Sequence, residues 1–254
     1  MSMNENVMIV IPARYASTRF PGKPLAMIAG KSMIQRVWER CTAAAVSQRI
    51  VVATDDARIR DEVHRFGGEA MLTPEDLASG TERMAWVAAQ CEADIFVNVQ
   101  GDEPLLPPAT IGAAVAALKR NATADIATAA CPLTGKEGIS SPNVVKLVTD
   151  RDGFALYFSR AAIPFQRDAV NASGNIGVYR KHIGIYVFRR SALLRFAQLP
   201  PSPLEQLEKL EQLRALEHGM RIVVADVPVD SQAVDIPEDI ALVEDMINRT
   251  TDTR

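Results

Sequence analysis

Cysteine and histidine are scarce in this sequence, and neither residue type is grouped. The cysteines are odd in number and widely separated, at Cys41, Cys91 and Cys131. The histidines are equally scattered, at His64, His182 and His218. These spacings argue against a disulfide framework and against a zinc site with nitrogen and sulfur ligands. We therefore expect a protein of the reducing cytoplasm, in which any bound metal has oxygen ligands.

Long hydrophobic segments and a secretion signal are also missing. The apolar runs, such as residues 7–11, are far shorter than the roughly 20 residues that a helix needs to cross a bilayer. The first run meets Pro12 and Arg14 almost at once, and no basic stretch leads into a long apolar region. We expect neither a membrane span nor secretion.

Acidic residues are absent between Asn6 and Trp38. The same window contains the cations Arg14, Arg19, Lys23, Lys31 and Arg36. Such a local positive field suits a polyanionic small molecule. The formal net charge of the whole chain is −3, which argues against a duplex nucleic acid as partner, because proteins that bind one usually carry a basic surface.

The first half of the chain alternates strand-like and helix-like segments. The chain has 254 residues, 48% of them hydrophobic, which is enough for one large domain with a sizeable core. Predicted strands are residues 7–12, 49–53, 95–100 and 125–130, and predicted helices are residues 32–45, 57–66, 81–91 and 110–119. This order predicts an α/β fold with a doubly wound, mainly parallel sheet. Ligands bind such sheets beyond the carboxyl ends of the strands, which directs attention to residues 13–23, 55–56 and 100–104.

The second half predicts a smaller antiparallel lobe. Residues 144–149 and 154–158 have strand patterns, and Asp150-Arg151-Asp152-Gly153 between them has the turn chemistry of a hairpin. Further predicted strands are residues 182–188 and 221–227, and a final helix is predicted at residues 237–248. One amphipathic helix is predicted over residues 203–218, with an apolar side formed by Leu204, Leu207, Leu210, Leu213 and Leu216.

The loop after the first predicted strand, residues 12–25, offers cations and hydroxyls that could hold a triphosphate. It lacks the three spaced glycines of a dinucleotide-binding fingerprint. It is not a P-loop either, because Leu25 stands where the pattern ending in Gly30-Lys31-Ser32 requires a glycine. A solvated basic loop is the alternative, and the acid-free neighbourhood favours phosphate binding.

Two carboxylates are candidates for binding a metal. Asp102 directly follows a predicted buried strand, at the edge of the sheet where ligands bind, and magnesium prefers one or two carboxylates together with phosphates and waters. The alternative is a turn in which Asp102 accepts backbone hydrogen bonds. Asp235 precedes Pro237 and an acidic first helical turn, so its spacing alone favours helix capping.

Two further groups of polar residues have open interpretations. His182 and Tyr186 face the same side of a predicted strand and could line a sugar pocket, although a polar strand face would also explain them. The segment Ser79-Gly-Thr-Glu-Arg83 has the pattern of a helix start, with Thr81 as a possible cap.

Taken in order, these segments resemble a known family along the whole chain. Residues 12–25 are similar to the nucleotide-binding signature of CMP-sugar synthetases. The following segments narrow the resemblance to the 3-deoxy-manno-octulosonate (Kdo) cytidylyltransferases: Ser79-Gly-Thr-Glu-Arg83, Asn98-Val-Gln-Gly-Asp-Glu-Pro104, Tyr157-Phe-Ser-Arg160, His182-Ile-Gly-Ile-Tyr186, Pro203-Leu-Glu205, Leu210-Glu-Gln-Leu-Arg214 and Val234-Asp-Ile-Pro-Glu-Asp239. The resemblance implies one nucleotidyltransferase domain over residues 1–254, with a sugar-binding and dimerisation subdomain at about residues 143–190.

The resemblance also assigns roles to individual residues. It implies nucleotide binding by Ala13, Arg14, Ser17, Arg19, Lys23, Ser79, Arg83 and Gln100, and sugar binding by Gln100, Arg160, Arg167, His182, Tyr186, Glu211 and Gln212. Asp102 and Asp235 would bind Mg²⁺, and these two carboxylates with Arg19 and Lys23 would carry catalysis.

The reaction that the resemblance implies is attack by the anomeric C2 hydroxyl of Kdo on the α-phosphorus of CTP, which forms CMP-Kdo and pyrophosphate. Members of the family are homodimers that act in lipopolysaccharide biosynthesis. A synthetase for a related acid sugar, such as 8-amino-Kdo or sialic acid, is the alternative among enzymes, and His182 and Tyr186 favour Kdo. A nucleotide-binding regulatory module is the alternative outside enzymes, and the presence of both Asp102 and Asp235 argues against it.

Overall fold

The computed structural model of the protein describes residues 5–16, 20–133, 135–167 and 179–251. Its strands are β1 (Val7–Ala13), β2 (Met27–Ile28), β3 (Lys31–Ser32), β4 (Arg49–Thr54), β5 (Glu69–Leu72), β6 (Ile95–Asn98), β7 (Ile126–Pro132), β8 (Lys146–Thr149), β9 (Ala155–Ser159), β10 (Arg180–Arg189) and β11 (Ile222–Asp226). Its α-helices are α1 (Met33–Ala43), α2 (Ala57–Arg65), α3 (Gly80–Gln90), α4 (Pro108–Arg120), α5 (Lys136–Ser140), α6 (Arg190–Phe196), α7 (Pro203–Glu208), α8 (Gln212–Glu217) and α9 (Asp239–Thr251). No helix within the described ranges is long and apolar enough to span a bilayer.

The chain divides into two compact units, residues 1–112 with 231–254 and residues 113–230. In the first unit, β1 pairs in parallel with β4 on one side and with β6 on the other, and β5 extends the sheet beyond β4. The residues of these strands that form the core, such as Ile9, Val52 and Val97, are fully buried, as is typical of parallel sheets. Because the strands are parallel, the chain leaves β1, β4 and β6 at the same edge of the sheet.

Three helices of the first unit begin at polar side chains that accept a backbone hydrogen bond. Ser32 caps α1, Asp56 caps α2 and Ser79 caps α3. The expectation that Thr81 caps α3 is wrong: Ser79 Oγ accepts from the backbone nitrogen of Glu82 at 3.2 Å, and Thr81 lies buried within the first turn. Ser79 is the residue with extended backbone before the helix, as an N-cap requires.

In the second unit, β7 pairs in parallel with β11 and antiparallel with β10. The predicted hairpin is confirmed, since β8 and β9 pair antiparallel. Asp150 organises its turn by accepting hydrogen bonds on Oδ1 from the backbone nitrogens of Asp152 at 2.9 Å and Phe154 at 2.8 Å. Together the units confirm the predicted fold class, an α/β protein with a mainly parallel sheet and a smaller antiparallel lobe. The sugar-binding and dimerisation roles of the subdomain at about residues 143–190 stay a prediction.

The single helix predicted over residues 203–218 is wrong. The chain forms α7 and α8, with Lys209 between them in the left-handed region at φ 53°. Leucines spaced by three residues drift around a helix axis by about 60° per step, so five of them cannot share one face of a continuous helix. Accordingly Leu207 is 80% exposed and Leu213 is fully buried. The break lets the two short helices present different faces to the core.

Candidate functional site

A cavity of about 480 Å³ lies in the first unit, at the edge of the sheet where β1 and β6 end. Its walls are Pro12, Ala13, Arg14, Ala16, Lys23, Pro24, Gly80, Arg83, Gln100, Gly101, Asp102 and Asp235. These residues come from the loop after β1, the start of α3, the loop after β6 and the segment before α9. The cavity therefore lies where a doubly wound sheet is expected to bind its ligand.

Lys23 lies at the centre of the charged wall. Its Nζ is 2.6 Å from Oδ2 of Asp102 and 4.0 Å from Oδ1 of Asp235. The same ammonium donates to the carbonyl oxygen of Val234 at 2.6 Å, and the Val234 nitrogen donates to the carbonyl of Asp102 at 2.9 Å. Both predicted metal-binding carboxylates are thus brought to one cation, although they are far apart in the sequence.

The local backbone holds Lys23 at this place. Gly22 has φ 71°, in the left-handed region that favours glycine, and begins a short 3₁₀ helix, Lys23–Leu25. The Gly22 nitrogen donates to the carbonyl of Tyr15 at 2.9 Å, and a Cβ on Gly22 would lie 3.2 Å from the Tyr15 ring. The guanidinium of Arg58 stacks on that ring, 3.3 Å from its centroid, and Asp56 binds Arg58 through two hydrogen bonds. The two ends of the basic loop are therefore fixed to each other and to α2.

Gly101 allows the chain after β6 to approach β1 closely. A Cβ at this position would lie 2.8 Å from the backbone oxygen of Pro12. Only glycine permits that approach, and the approach places the following residue, Asp102, against the cavity. This role of Gly101 was not predicted, although a glycine between a buried strand and a candidate metal ligand is a signal for close contact of two backbones.

Asp235 does not cap α9. The carboxylate of Asp239 accepts the backbone N–H groups there, from Asp235 at 2.7 Å and from Ile236 at 3.0 Å. The side chain of Asp235 is 61% exposed and lies on the cavity wall. The capping interpretation that the spacing favoured is therefore wrong for Asp235, because α9 begins only at Asp239 and Asp235 is bonded to that residue through its own backbone N–H.

Arg83 is a fully buried guanidinium in the cavity wall. Its Nη2 donates to Asp55 at 2.9 Å, and its Nη1 donates to Thr73 Oγ1 and to the carbonyl of Pro74. Burial lowers the pKa of Arg83 below its ordinary value; Asp55 opposes this shift and Arg14 adds to it. Its Nε is buried and has no hydrogen-bond partner among the described residues, although buried polar groups are usually paired. The sequence directed attention to residues 55–56 but did not predict that Asp55 supports Arg83.

The other predicted nucleotide-binding residues have different places. Ala13, Arg14 and Gln100 line the cavity, whereas Ser79 uses its hydroxyl to cap α3. Ser17 and Arg19 lie outside the described residues.

Two of the predicted sugar-binding residues contact each other on β10 in the second unit. The rings of His182 and Tyr186 are 5.5 Å apart between centroids. Nε2 of His182 lies 2.9 Å from Oγ1 of Thr128, which in turn donates to the carbonyl of Ile185 at 2.7 Å. The same hydroxyl lies 3.3 Å from the carbonyl of Ile183, so Thr128 joins the imidazole to the backbone of β10. Burial lowers the pKa of His182 to about 3 and raises the pKa of Tyr186.

The remaining predicted sugar-binding residues of this unit differ in burial. Gln212 is buried, and its Nε2 has no hydrogen-bond partner among the described residues. Arg160 is held by backbone carbonyls, whereas Glu211 is half-buried and lies 4.0 Å from Arg214. Arg167 is exposed. A buried amide without a partner costs about 1–3 kcal/mol, so Gln212 also has the character of a group that awaits a polar ligand.

The two carboxylates beside Lys23 suit magnesium. Among the described residues, no three or more histidine, cysteine or acidic side chains are grouped closely enough to hold a metal ion. Asp102 and Asp235 are two hard oxygen ligands, and Mg²⁺ is usually bound by one or two carboxylates with substrate phosphates and waters completing its shell. The residues present therefore fit a magnesium ion that binds together with a triphosphate.

Known proteins resemble this chain over nearly its whole length. Residues 8–222 match a family described as cytidylyltransferase. The 3-deoxy-manno-octulosonate cytidylyltransferase of Syntrophotalea carbinolica is 54% identical over 244 residues, covering 94% of this chain and 97% of the relative. The enzyme of the same name from Geobacter sulfurreducens is 50% identical over 242 residues, with 92% and 96% covered.

Solved structures give the same result. The structure of a CMP:2-keto-3-deoxy-manno-octonic acid synthetase complexed with CTP matches with a TM-score of 0.91 at 40% identity, covering 96% of this chain and 99% of that chain. A cytidylyltransferase from Leptospira borgpetersenii matches with a TM-score of 0.63 at 17% identity, over 96% of this chain and 87% of that chain, which shows a shared fold.

Proposed function

Because the chain belongs to the cytidylyltransferase family, we propose that it transfers CMP from CTP to Kdo, forming CMP-Kdo and pyrophosphate for lipopolysaccharide biosynthesis. The observation that carries the proposal is the meeting of Lys23, Asp102 and Asp235 at one cavity beyond the parallel strands. A binding module for nucleotides would need the cations but not two carboxylates beside them.

In the proposed reaction, the C2 hydroxyl oxygen of Kdo forms a bond to the α-phosphorus of CTP. The bond from that phosphorus to the oxygen that bridges it to the β-phosphorus breaks, pyrophosphate leaves, and the hydroxyl proton passes to solvent water. The protein contributes mainly position and charge, as is general for transfer at phosphorus. Lys23 and Arg14 present positive charge to the phosphates, and the buried guanidinium of Arg83 adds a further positive charge to the cavity wall.

Asp102 and Asp235 would hold Mg²⁺, which neutralises charge on the phosphates when it is bound. With the triphosphate in place, Lys23 can exchange its contact with Asp102 for contact with phosphate oxygens. We further propose that the enzyme acts in the cytoplasm as a homodimer.

For the sugar, we propose that Arg160, His182, Tyr186, Gln212 and Glu211 read the carboxylate and hydroxyls of Kdo, with Gln100 and Arg167 as further contacts. The buried amide of Gln212 and the buried imidazole of His182 support this. A site that holds buried polar groups rejects an analogue lacking their partners more strongly than an analogue that only adds bulk. The relatives and the solved structure named for Kdo favour Kdo over 8-amino-Kdo and sialic acid.

The test is pyrophosphate release by the purified protein. CTP is compared with ATP and GTP, and Kdo with 8-amino-Kdo and N-acetylneuraminate, each with Mg²⁺ and with EDTA. We expect turnover only with CTP, Mg²⁺ and an acid sugar, and the highest kcat/KM with Kdo. Preference for neuraminate would overturn the sugar assignment alone, whereas absence of turnover with every pair would overturn the enzyme assignment. Analytical ultracentrifugation tests the homodimer.

A further inference from the structure

Lys146 is a fully buried lysine in the second unit. Its ammonium donates to the backbone carbonyls of Ser141 at 2.9 Å, Val144 at 2.6 Å and Arg160 at 2.5 Å. These contacts use all three of its N–H donors. Burial lowers the pKa of Lys146, with Glu208 opposing the shift. Burying a charge is costly even when it is well bonded. The burial of this ammonium therefore requires an explanation, which we seek in the backbone segments that it holds together.

Lys146 lies on β8, between β9, which ends next to Arg160, and β10, which carries His182. Its Cα is paired with Ser159 on β9 and with Lys181 on β10. Arg160 follows β9 directly, and His182 follows Lys181. The carbonyl of Val145, the residue before Lys146, accepts a hydrogen bond from the His182 nitrogen at 2.8 Å. Lys146 therefore adjoins both residues through the backbone.

Arg160 is fixed on several sides. Its Nη1 donates to the carbonyl of Pro142 at 2.8 Å, within the turn whose flanking carbonyls Lys146 holds. Its Nε donates to the carbonyl of Glu208 at 2.7 Å, and its backbone nitrogen donates to the Glu208 carboxylate at 2.9 Å. The described residues offer no acceptor to Nη2 of Arg160. Two of the three guanidinium nitrogens, Nε and Nη1, are thus anchored, and Nη2 is left for a ligand.

The helix break at Lys209 contributes to this anchor. α7 ends at Glu208, and the last carbonyls of a helix have no partner within it. The carbonyl of Glu208 is therefore available to Nε of Arg160. In a continuous helix over residues 203–218, that carbonyl would instead accept from the nitrogen four residues later.

We propose that Lys146 is a positioning residue, which holds Arg160 in the orientation that binds the carboxylate of the acid sugar. The contact of Arg160 with the sugar rests on the proposed function, whereas the anchoring of Arg160 by its neighbours does not. Bidentate binding of a carboxylate by arginine depends on the orientation of the planar guanidinium. An arginine fixed before the ligand arrives also loses less conformational freedom on binding.

The first test is kinetic. Lys146→Met keeps much of the side-chain volume but removes the ammonium, so Arg160 should lose its fixed orientation. We expect the KM for Kdo to rise about 10-fold to 100-fold, because misplacement by about 1 Å has effects of that size, while the KM for CTP changes less than about twofold. Lys146→Gln, which keeps two donors, should restore part of the loss.

Arg189→Met is the matched control. Arg189 is another cation of the second unit that holds backbone carbonyls, those of Leu118, Asn121 and Ala124. We expect this variant to unfold at a lower temperature, as Lys146→Met should, but to keep the wild-type KM for Kdo. If the KM for Kdo is unchanged in Lys146→Met and Lys146→Gln, or rises equally in Arg189→Met, the positioning role is overturned.

The second test follows Arg160 itself and requires no turnover. The Nε–H proton of Arg160 is observed by ¹⁵N NMR and assigned by its loss in Arg160→Lys. Its exchange with solvent should be faster in Lys146→Met and Lys146→Gln than in the wild type, and unchanged in Arg189→Met. Unchanged exchange in both Lys146 variants would overturn the positioning role. If exchange is faster in the two Lys146 variants but the wild type does not use Kdo, the positioning role is supported and only the proposed substrate is overturned.

A double-mutant cycle shows whether Lys146 acts through Arg160. Arg160→Lys and Lys146→Gln are combined, and the KM for Kdo is compared with those of the single variants. Residues that act as a unit give strongly non-additive effects. We expect Lys146→Gln to have little further effect once Arg160 is replaced, and full additivity would contradict the proposal.

Discussion

Nζ of Lys23 lies 2.6 Å from Oδ2 of Asp102. The ammonium thus neutralises the first of two carboxylates that are candidates for metal binding. A lysine in this position can contact either the carboxylate or an incoming phosphate, because its long side chain carries one compact charge. The pair therefore connects the metal-binding and phosphate-binding parts of the proposed site.

Asp102→Asn and Asp235→Asn should each abolish turnover while the fold stays intact. An amide keeps the volume of the carboxylate but is a weaker ligand for Mg²⁺. Pyrophosphate release and the thermal unfolding midpoint are measured for both variants. Glu238→Gln, which neutralises a neighbouring exposed carboxylate, is the control and should keep wild-type activity. Full activity of Asp235→Asn with a lower unfolding midpoint would return Asp235 to a structural role.

Lys23→Ala should raise the KM for CTP and lower kcat by about 10² or more if the ammonium contacts the transition state. Lys31→Ala is the control, because Lys31 belongs to the same acid-free window but pairs with Glu39 at 2.7 Å and does not line the cavity. Steady-state kinetics at varied CTP distinguish the two. Equal effects of both variants would mean that the basic window acts only through its overall charge.

Arg19→Ala should have an effect like that of Lys23→Ala, since the resemblance places both at the triphosphate. The measurement is the same steady-state assay at varied CTP. Arg36→Ala provides the control, because Arg36 binds the backbone carbonyls of Ile28 and Ala29. Wild-type kinetics for Arg19→Ala would remove Arg19 from the proposed site.

Asp55→Asn should destabilise the fold and raise the KM for CTP. It leaves the buried guanidinium of Arg83 without its counter-charge, and breaking a buried ion pair costs about 3–5 kcal/mol. Glu69→Gln breaks the pair of Glu69 with Arg49, in which both side chains are 45% exposed, and should change the free energy of unfolding by less than about 1 kcal/mol. Urea unfolding measures both. If the free energy of unfolding decreased equally in the two variants, burial would not be what makes the pair of Arg83 and Asp55 important.

His182 should make the protein less stable in acid. Its folded-state pKa is lowered from 6.5 to about 3 by burial, so between these values the unfolded chain binds more protons than the folded one. The free energy of unfolding should then decrease as the pH is lowered through this window, by up to about 1.4 kcal/mol per pH unit. Above it, the imidazole is neutral in both states and contributes no pH dependence.

His182→Gln provides the comparison for this pH effect. Urea unfolding between pH 7 and pH 4 should show a shallower loss of stability in this variant than in the wild type. His64→Gln, which replaces an exposed histidine, should keep the wild-type loss. An identical pH dependence in His182→Gln and the wild type would show that His182 does not carry it.

Local patterns in the sequence were sufficient for much of the fold. The alternation of short apolar runs with helical periodicity predicted β1, β4 and β6 and the helices between them, because strand and helix periods depend on neighbouring residues. The hairpin of β8 and β9 was predicted from its turn residues for the same reason. The helix break at Lys209 was missed because the five leucines were assigned to one apolar side, which their three-residue spacing does not allow in a continuous helix.

The sequence by itself determined the fold class, the family and the edge of the sheet at which the candidate residues lie, since all three follow from order and spacing along the chain. Only the tertiary structure decided which groups meet there. It brought Asp235 to Lys23 instead of to the start of α9, gave Arg83 its partner Asp55, and buried Lys146 beside Arg160. Such pairings join residues from separate segments, and the free energy of each depends on burial and distance, which spacing along one chain does not contain.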